Sequence, residues 1–348
     1  MTGVAIIGCG KISQVRHIPE YIDNPDARII GFFDNNLSRA SELARRYGVK
    51  AYATLDEALA DPLVDAVSVC VANVAHCEVT VKALQAGKHV LCEKPMAITI
   101  EECEKMVRTA EECGRKLMIG QNQRLAAAHV KAKELIASGI IGKVLTFRTS
   151  FGHSGPENWS VDPGKNTWFF DRRRAAMGVM ADLGIHKTDL IQYLLSQKVV
   201  ASTARLVTLD KKGPDDNLIG VDDNSICIYE MSGGAVGTMT ASWTYYGAED
   251  NSTVIYGTLG NMTIYDIDRA PIVIRTSDGN VQNIEAGKIQ TNADQNKSGI
   301  IDLFVDSISS ESEPPISGRD VLAAMRAVFA SIKSSEEGRR IEIPQNRD

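Results

Sequence analysis

VAIIGCGKIS, residues 4–13, decides the fold of this 348-residue chain. Val4, Ile6 and Ile7 give the β-branched run of a buried strand, and the run stops at Gly8. Gly8 and Gly10 permit a tight turn and bring backbone N–H groups close to a ligand. A helical pattern follows through Ile22, which puts a helix N-terminus, favourable to negative charge, at the turn. Ser13 replaces the third glycine of G-x-G-x-x-G and is small enough for helix to pack on strand. Gly8, Gly10, Lys11 and Ile12 are therefore expected to hold a dinucleotide pyrophosphate.

The next strand, RIIGFF (28–33), ends at Asp34, 21 residues beyond Ser13. A carboxylate there accepts hydrogen bonds from both adenosine ribose hydroxyls and repels a 2′-phosphate, which favours NAD over NADP. Arg39, one helical turn on, is able to reach a phosphate, so NADP stays open.

Strand patterns recur at 66–71, 89–92 and 116–120, alternating with helical runs at 37–48 and 76–87 that end at Gly48 and Gly87. Thr99 with Glu102 reads as a capping box. This alternation is the signature of a doubly wound parallel sheet, a Rossmann domain over residues 1–122. Beyond it, residues 123–348 read as a second α/β domain with a large, open, mostly antiparallel sheet. Its consecutive strand patterns lie at 145–152, 201–209, 225–231, 235–246 and 252–265. Two closing helices are expected near 298–309 and 319–337, and the last is placed to pack back on the first domain.

Net charge of −6 and no basic run longer than Arg172–Arg174 argue against nucleic acid and membrane surfaces, leaving a small molecule as partner. No apolar run reaches membrane-span length, and the N-terminus lacks the basic segment of a signal peptide, so a cytoplasmic protein is expected. The seven cysteines show no C-x-x-C spacing and read as reduced core residues, with no metal site.

KHVLCEKPMAI, residues 88–98, ends a strand in Glu93, Lys94 and Pro95. Parallel strands deliver ligands at their carboxyl ends, so Lys94 belongs in the cofactor crevice, held extended by Pro95. Residues 178–195 form an amphipathic helical pattern in which Asp182 and His186, four apart, share one face. A neutral imidazole there takes a hydroxyl proton, and a carboxylate stabilises the imidazolium. Glu93 orients Lys94 or contacts the cofactor ribose. Asn73 and His76, after strand 66–71, face ribose or nicotinamide, although His76 equally suits a helix cap. Arg124 either anchors a substrate oxygen or makes a domain-junction ion pair. Trp168 either stacks on a sugar face or packs as core. Arg172–Arg174 reads as a solvated run, with an anionic substrate as the alternative, and His153 and Tyr245–Tyr246 are pocket candidates by position alone.

Four features together, the loop at Gly8–Ser13, Asn73 with His76, AGKHVLCEKP (86–95) and the D-x-G-x-H at Asp182–His186, resemble the Gfo/Idh/MocA oxidoreductases. The resemblance covers essentially the whole chain, including IASGIIGKV (136–144) and the closing segment 319–343. It implies an NAD(P)-dependent dehydrogenase acting on a secondary hydroxyl of a sugar, sugar derivative or cyclitol. It also implies Lys94, Asp182 and His186 as the catalytic set, the last two touching substrate, and a homodimer or homotetramer joined through the C-terminal sheet. The departures are Ser13 in the loop and a glycine cluster thinned to Met177-Gly178-Val179. Two rival readings keep the fold: an NAD-dependent glycosidase that retains its cofactor, and a non-catalytic NAD-binding sensor. Either Lys94 or His186 is able to serve as the base.

Overall fold

The computed structural model describes residues 1–266, 270–289, 291, 297–310 and 312–345. Its first layer is a six-stranded, wholly parallel sheet. The strands are β1 (Thr2–Ile7), β2 (Ala27–Phe33), β3 (Lys50–Ala51), β4 (Ala66–Val69), β5 (His89–Cys92) and β6 (Leu117–Ile119), ordered β3-β2-β1-β4-β5-β6. Every residue of β1, β4 and β6 is buried, as a sheet covered on both faces requires. Helices α1 (Ile18–Asp23), α2 (Leu37–Tyr47), α3 (Leu55–Ala60), α4 (His76–Gln85) and α5 (Ile100–Glu112) connect them.

Local signals set these boundaries. Asn36 caps α2 by accepting from Arg39 N, and Gly48 closes it at φ 66°. Thr99 caps α5 by accepting from Glu102 N at 3.1 Å, while the Glu102 carboxylate reaches back to Ile98 N at 3.2 Å. The short β3 was not foreseen; two exposed residues carry no periodicity.

The second sheet has nine strands: β7 (Val144–Gly152), β8 (Val199–Val207), β9 (Asn224–Met231), β10 (Val236–Ser242), β11 (Thr253–Gly257), β12 (Gly260–Ile264), β13 (Ile272–Thr276), β14 (Val281–Ile284) and β15 (Ile341–Glu342). Their order is β14-β13-β12-β11-β7-β10-β9-β8-β15, antiparallel except for the parallel pair β7–β10. Helices α6 (Ala127–Ala137), α7 (Arg172–Ala175), α8 (Ile185–Leu195), α9 (Ile300–Ser309) and α10 (Gly318–Glu337) complete the chain. The α/β class, with a parallel Rossmann sheet and a mostly antiparallel second sheet, is the one expected.

The expected amphipathic helix at 178–195 differs in two respects. Its first turn, Met180–Gly184, is a wide π turn, and α8 proper starts at Ile185. It is also buried on almost every side, with His186, Lys187, Thr188, Asp189 and Gln192 all inside. Tertiary partners make this tolerable: Thr188 bonds the Tyr229 hydroxyl at 2.8 Å, and Gln192 accepts from Val199 N at 3.0 Å.

α10 runs between the sheets. Its entry is stitched to β6, where Ile119 N donates to Ile316 O at 3.0 Å and Met118 bridges Ser317. Arg326 then pairs with Glu104 of α5 at 3.3 Å, while Ser334 Oγ accepts from Ala204 N of β8 at 2.9 Å.

Candidate active site

At the loop after β1, Gly8 adopts φ 96°, and a Cβ there would lie 2.5 Å from the Cys70 carbonyl oxygen. Only glycine fits. A Cβ on Gly10 would meet nothing within 4 Å, so bare backbone faces open space. Ser13, fully buried, ties the turn by donating to Gly10 O at 2.7 Å. Asp34 accepts Cys9 N and Asn36 N, one on each carboxylate oxygen, both at 2.7 Å. This cradle of small residues and exposed backbone at a helix start suits a pyrophosphate, with Asp34 at its ribose end.

A cleft of about 770 Å³ runs from this loop between the two sheets. Gly8, Gly10, Lys11, Ile12 and Asp34 line one end; Asn73, His76, Glu93, Lys94, Trp168, Asp182 and His186 line the rest. The size suits a small-molecule site. Lys94 follows β5 and is joined to Pro95 by a cis peptide bond. Its Nζ donates to Asp182 Oδ1 at 2.9 Å and to the Asp182 carbonyl at 3.0 Å. The wide turn aims Asp182, and Trp243 Nε1 donates to its other oxygen at 3.0 Å. Burial alone would raise the Asp182 pKa; Lys94, His153 and these hydrogen bonds hold it below the usual value.

Asp222 supports the wide turn. Its carboxylate accepts Gly178 N and Met180 N, each at 2.8 Å, and its carbonyl would lie 1.9 Å from a Cβ on residue 178. The thinned glycine cluster therefore keeps the one glycine that this contact demands.

His186, 7% exposed, is held well below its ordinary pKa, first by burial and then by Lys94. It is neutral at physiological pH. Its Nδ1 is sealed without a hydrogen-bond partner among the described residues, so Nε2 is the nitrogen that meets the cleft.

Glu93 is buried beneath Lys94. It accepts from His17 Nε2 at 2.9 Å and from Lys94 N at 3.2 Å, with Arg16 at 3.8 Å. Burial opposes its charge, but His17, Arg16 and Lys94 bring its pKa down to about 2. Behind it the chain continues through His17 Nδ1 to Ser68 Oγ at 3.1 Å and on to the Tyr21 hydroxyl at 2.8 Å.

Asn73 Nδ2 donates to Ala175 O at 2.9 Å and so fastens the first sheet to α7. His76 does not cap α4; its Nδ1 lies 2.6 Å from Pro95 O and bears on the Lys94–Pro95 turn. Arg124 does not line the cleft. Its guanidinium grips Asp189 at 2.5 and 2.6 Å and pairs with Asp320, which offsets burial and holds it charged, so the junction alternative is the one realised. Trp168 stacks on Phe169 at 4.0 Å and faces the cleft. Tyr245 and Tyr246 are absent from its lining, whereas His153 is present with its Nδ1 accepting from Gly155 N at 2.9 Å. Trp243 and Asp222 gave no sequence signal, because each acts on Asp182 or its turn from a distant strand or loop.

Comparison with known proteins bears on the family and the fold. Residues 2–121 match the model described as "Oxidoreductase family, NAD-binding Rossmann fold", and residues 129–263 match "GFO/IDH/MocA C-terminal domain". The chain is 24% identical to the myo-inositol 2-dehydrogenase of Thermotoga maritima over 345 residues, 98% of each protein. It is 31% identical to the glucose-6-phosphate 3-dehydrogenase of Bacillus subtilis over 228 residues, 64% of this chain and 62% of the relative. The crystal structure of aldose-aldose oxidoreductase from Caulobacter crescentus superposes with a TM-score of 0.82 at 26% identity, covering 98% of this chain and 99% of that one. With both family regions matched, the chain belongs to the Gfo/Idh/MocA oxidoreductases and is a dehydrogenase acting on CH–OH groups.

Proposed function

We propose that the protein interconverts a secondary hydroxyl of a sugar, sugar derivative or cyclitol with the corresponding ketone, using NAD. The observation that carries the reading is the Lys94–Asp182 pair beside neutral His186, in the same cleft as the glycine loop. The names of the relatives, dehydrogenases of myo-inositol and glucose 6-phosphate, support polyhydroxy rings as the substrate class.

When bound, the nicotinamide supplies the hydride acceptor. His186 Nε2 takes the hydroxyl proton as the C–H bond opens and the carbonyl forms. Lys94 has three N–H donors and spends two on Asp182, which leaves one for the substrate oxygen, where it stabilises developing negative charge. Asp182 keeps that ammonium in register, and Trp168 offers a ring to the sugar face. Glu93 anchors the Lys94 backbone from below. The Asp34 carboxylate favours ribose hydroxyls over a 2′-phosphate and supports NAD. A panel of aldoses, cyclitols and sugar acids with NAD or NADP, followed by reduced-nicotinamide absorbance, tests the reading; silence across the panel would sink it.

The outer face of the second sheet exposes Ile226, Ile228 and Val236 on paired strands, which supports a homo-oligomer, dimer or tetramer, built on that face. Light scattering after gel filtration checks it. No helix among the described residues is long and apolar enough to cross a membrane. A cytoplasmic location goes with the free, mostly buried cysteines.

A further inference from the structure

The adenosine end of the cleft is built from both sheets. From the first come Asp34, the Asn36 cap and Arg39 on the opening turn of α2; from the segments between β7 and α8 come Asp162 and Arg174. Arg39 is spoken for. Its NH2 group donates to both Asp162 carboxylate oxygens, at 3.0 and 2.9 Å, across 123 residues of chain. The segment that carries Asp162 is not a loose tether. Asp162 N donates to Ser160 Oγ at 3.3 Å, Gly164 N to Glu157 O at 2.7 Å, and Glu157 pairs with nearly buried Lys211 at 2.5 Å.

A ribose held by Asp34 directs its 2′-oxygen toward the turn between β2 and α2, where Arg39 stands. In NADP that oxygen carries a phosphate of nearly two negative charges, which demands a free guanidinium. Asp162 removes it twice over. It occupies the two N–H donors of Arg39 NH2, neutralises the guanidinium's charge and adds a second carboxylate beside Asp34.

We propose that Asp162, contributed by the second domain, is a specificity-determining residue for the cofactor: its clasp on Arg39 excludes the 2′-phosphate and sets the preference for NAD. The proposal rests on the NAD reading above and names the residue that enforces it. As an exposed ion pair the clasp adds little to folding, so its effect belongs to discrimination rather than stability. Arg174, on the same rim, adds a second cation for a phosphate once Asp162 is neutralised.

The test is direct binding, read by nicotinamide fluorescence as NADH or NADPH is titrated into wild type, D162N, R39A and the double variant. D162N is expected to tighten NADPH about tenfold while NADH shifts less than about threefold. Adding R39A to D162N should abolish that gain. An unchanged NADPH/NADH ratio in D162N, or a gain that survives loss of Arg39, overturns the proposal. The NAD reading fails separately: wild type would then bind NADPH the more tightly, while the ratio shift in D162N would still report on the clasp.

Discussion

Glu93 Oε1 sits 2.9 Å from His17 Nε2, sealed beneath the lysine whose backbone the same carboxylate holds. Glu93 thus ties the Lys94 backbone to the segment that leads into α1. Glu93→Ala removes the acceptor for both groups and is expected to cost about 3 kcal/mol of stability, measured by denaturant unfolding at pH 7. Its folded pKa of about 2 lies below the ordinary 4.5, so the stabilisation is full above pH 4.5 and fades as pH falls toward 2. The deficit of the variant should shrink over that window.

Lys94→Met and His186→Ala are each expected to lower kcat by about 10²–10⁴-fold, and Lys94→Met also lowers the melting temperature because it leaves Asp182 without its ion-pair partner. Full activity in either would remove the proposed roles. Because burial keeps His186 neutral, kcat should not fall through protonation of this group between pH 8 and 6.5.

Five of the six histidines, His76, His89, His129, His153 and His186, are held below 6.5, burial being the first cause in each. The unfolded chain takes up protons below pH 6.5 that the folded chain refuses, so stability falls with pH there. For His129, completely buried with a pKa of about 3, the loss at pH 5 is about 2 kcal/mol. Melting temperature should drop steadily from pH 7 to 5, and His129→Gln should flatten the slope.

Arg124→Ala leaves Asp189 buried without its partner and is expected to cost 3–5 kcal/mol, roughly, in unfolding free energy. KM for any substrate the intact fraction turns over should hold, which separates a junction residue from a substrate anchor.

Lys187 is fully buried with the Asn251 carbonyl at 2.8 Å, and burial pulls its pKa from 10.5 to about 7. A lysine lowered in this way destabilises the fold below its unfolded value, and stability recovers as pH climbs from 7 toward 10.5. Lys187→Met should therefore raise stability at pH 7 by about 2 kcal/mol, seen as a higher melting temperature.

The features legible in sequence are those whose cause is local. The strand, turn and helix at 4–22, Asp34, and the caps at Thr99 and Gly48 depend on neighbours a few residues away. The β13–β14 hairpin has a local signal too, since Asp278-Gly279 marks its turn and Gly279 sits at φ 91°. What the pattern does not carry is set across the fold. Glu93 meets His17 from 76 residues away, Trp243 meets Asp182 from 61, and Arg124 meets Asp189 from 65. The π turns at Ser13–His17 and Met180–Gly184 also break the 3.6-residue phase on which a helix face is counted. α8, buried all round, has no exposed face for its polar residues to mark.

The stitching of residues 316–317 to β6 bears on how a cofactor enters. β6 is one margin of the first sheet, and the chain's passage at 120–126 lies beside it as well. Arg39 and Asp162 meet near β2, toward the other margin. The two walls are thus joined by backbone along the β6 margin, while across the cleft they meet through side chains, Asn73 with Ala175, Lys94 with Asp182 and Arg39 with Asp162. A dinucleotide entering at the proposed adenosine end has an exposed ion pair to pass, while Lys94, which leaves β5 beside the stitched margin, stays against Asp182.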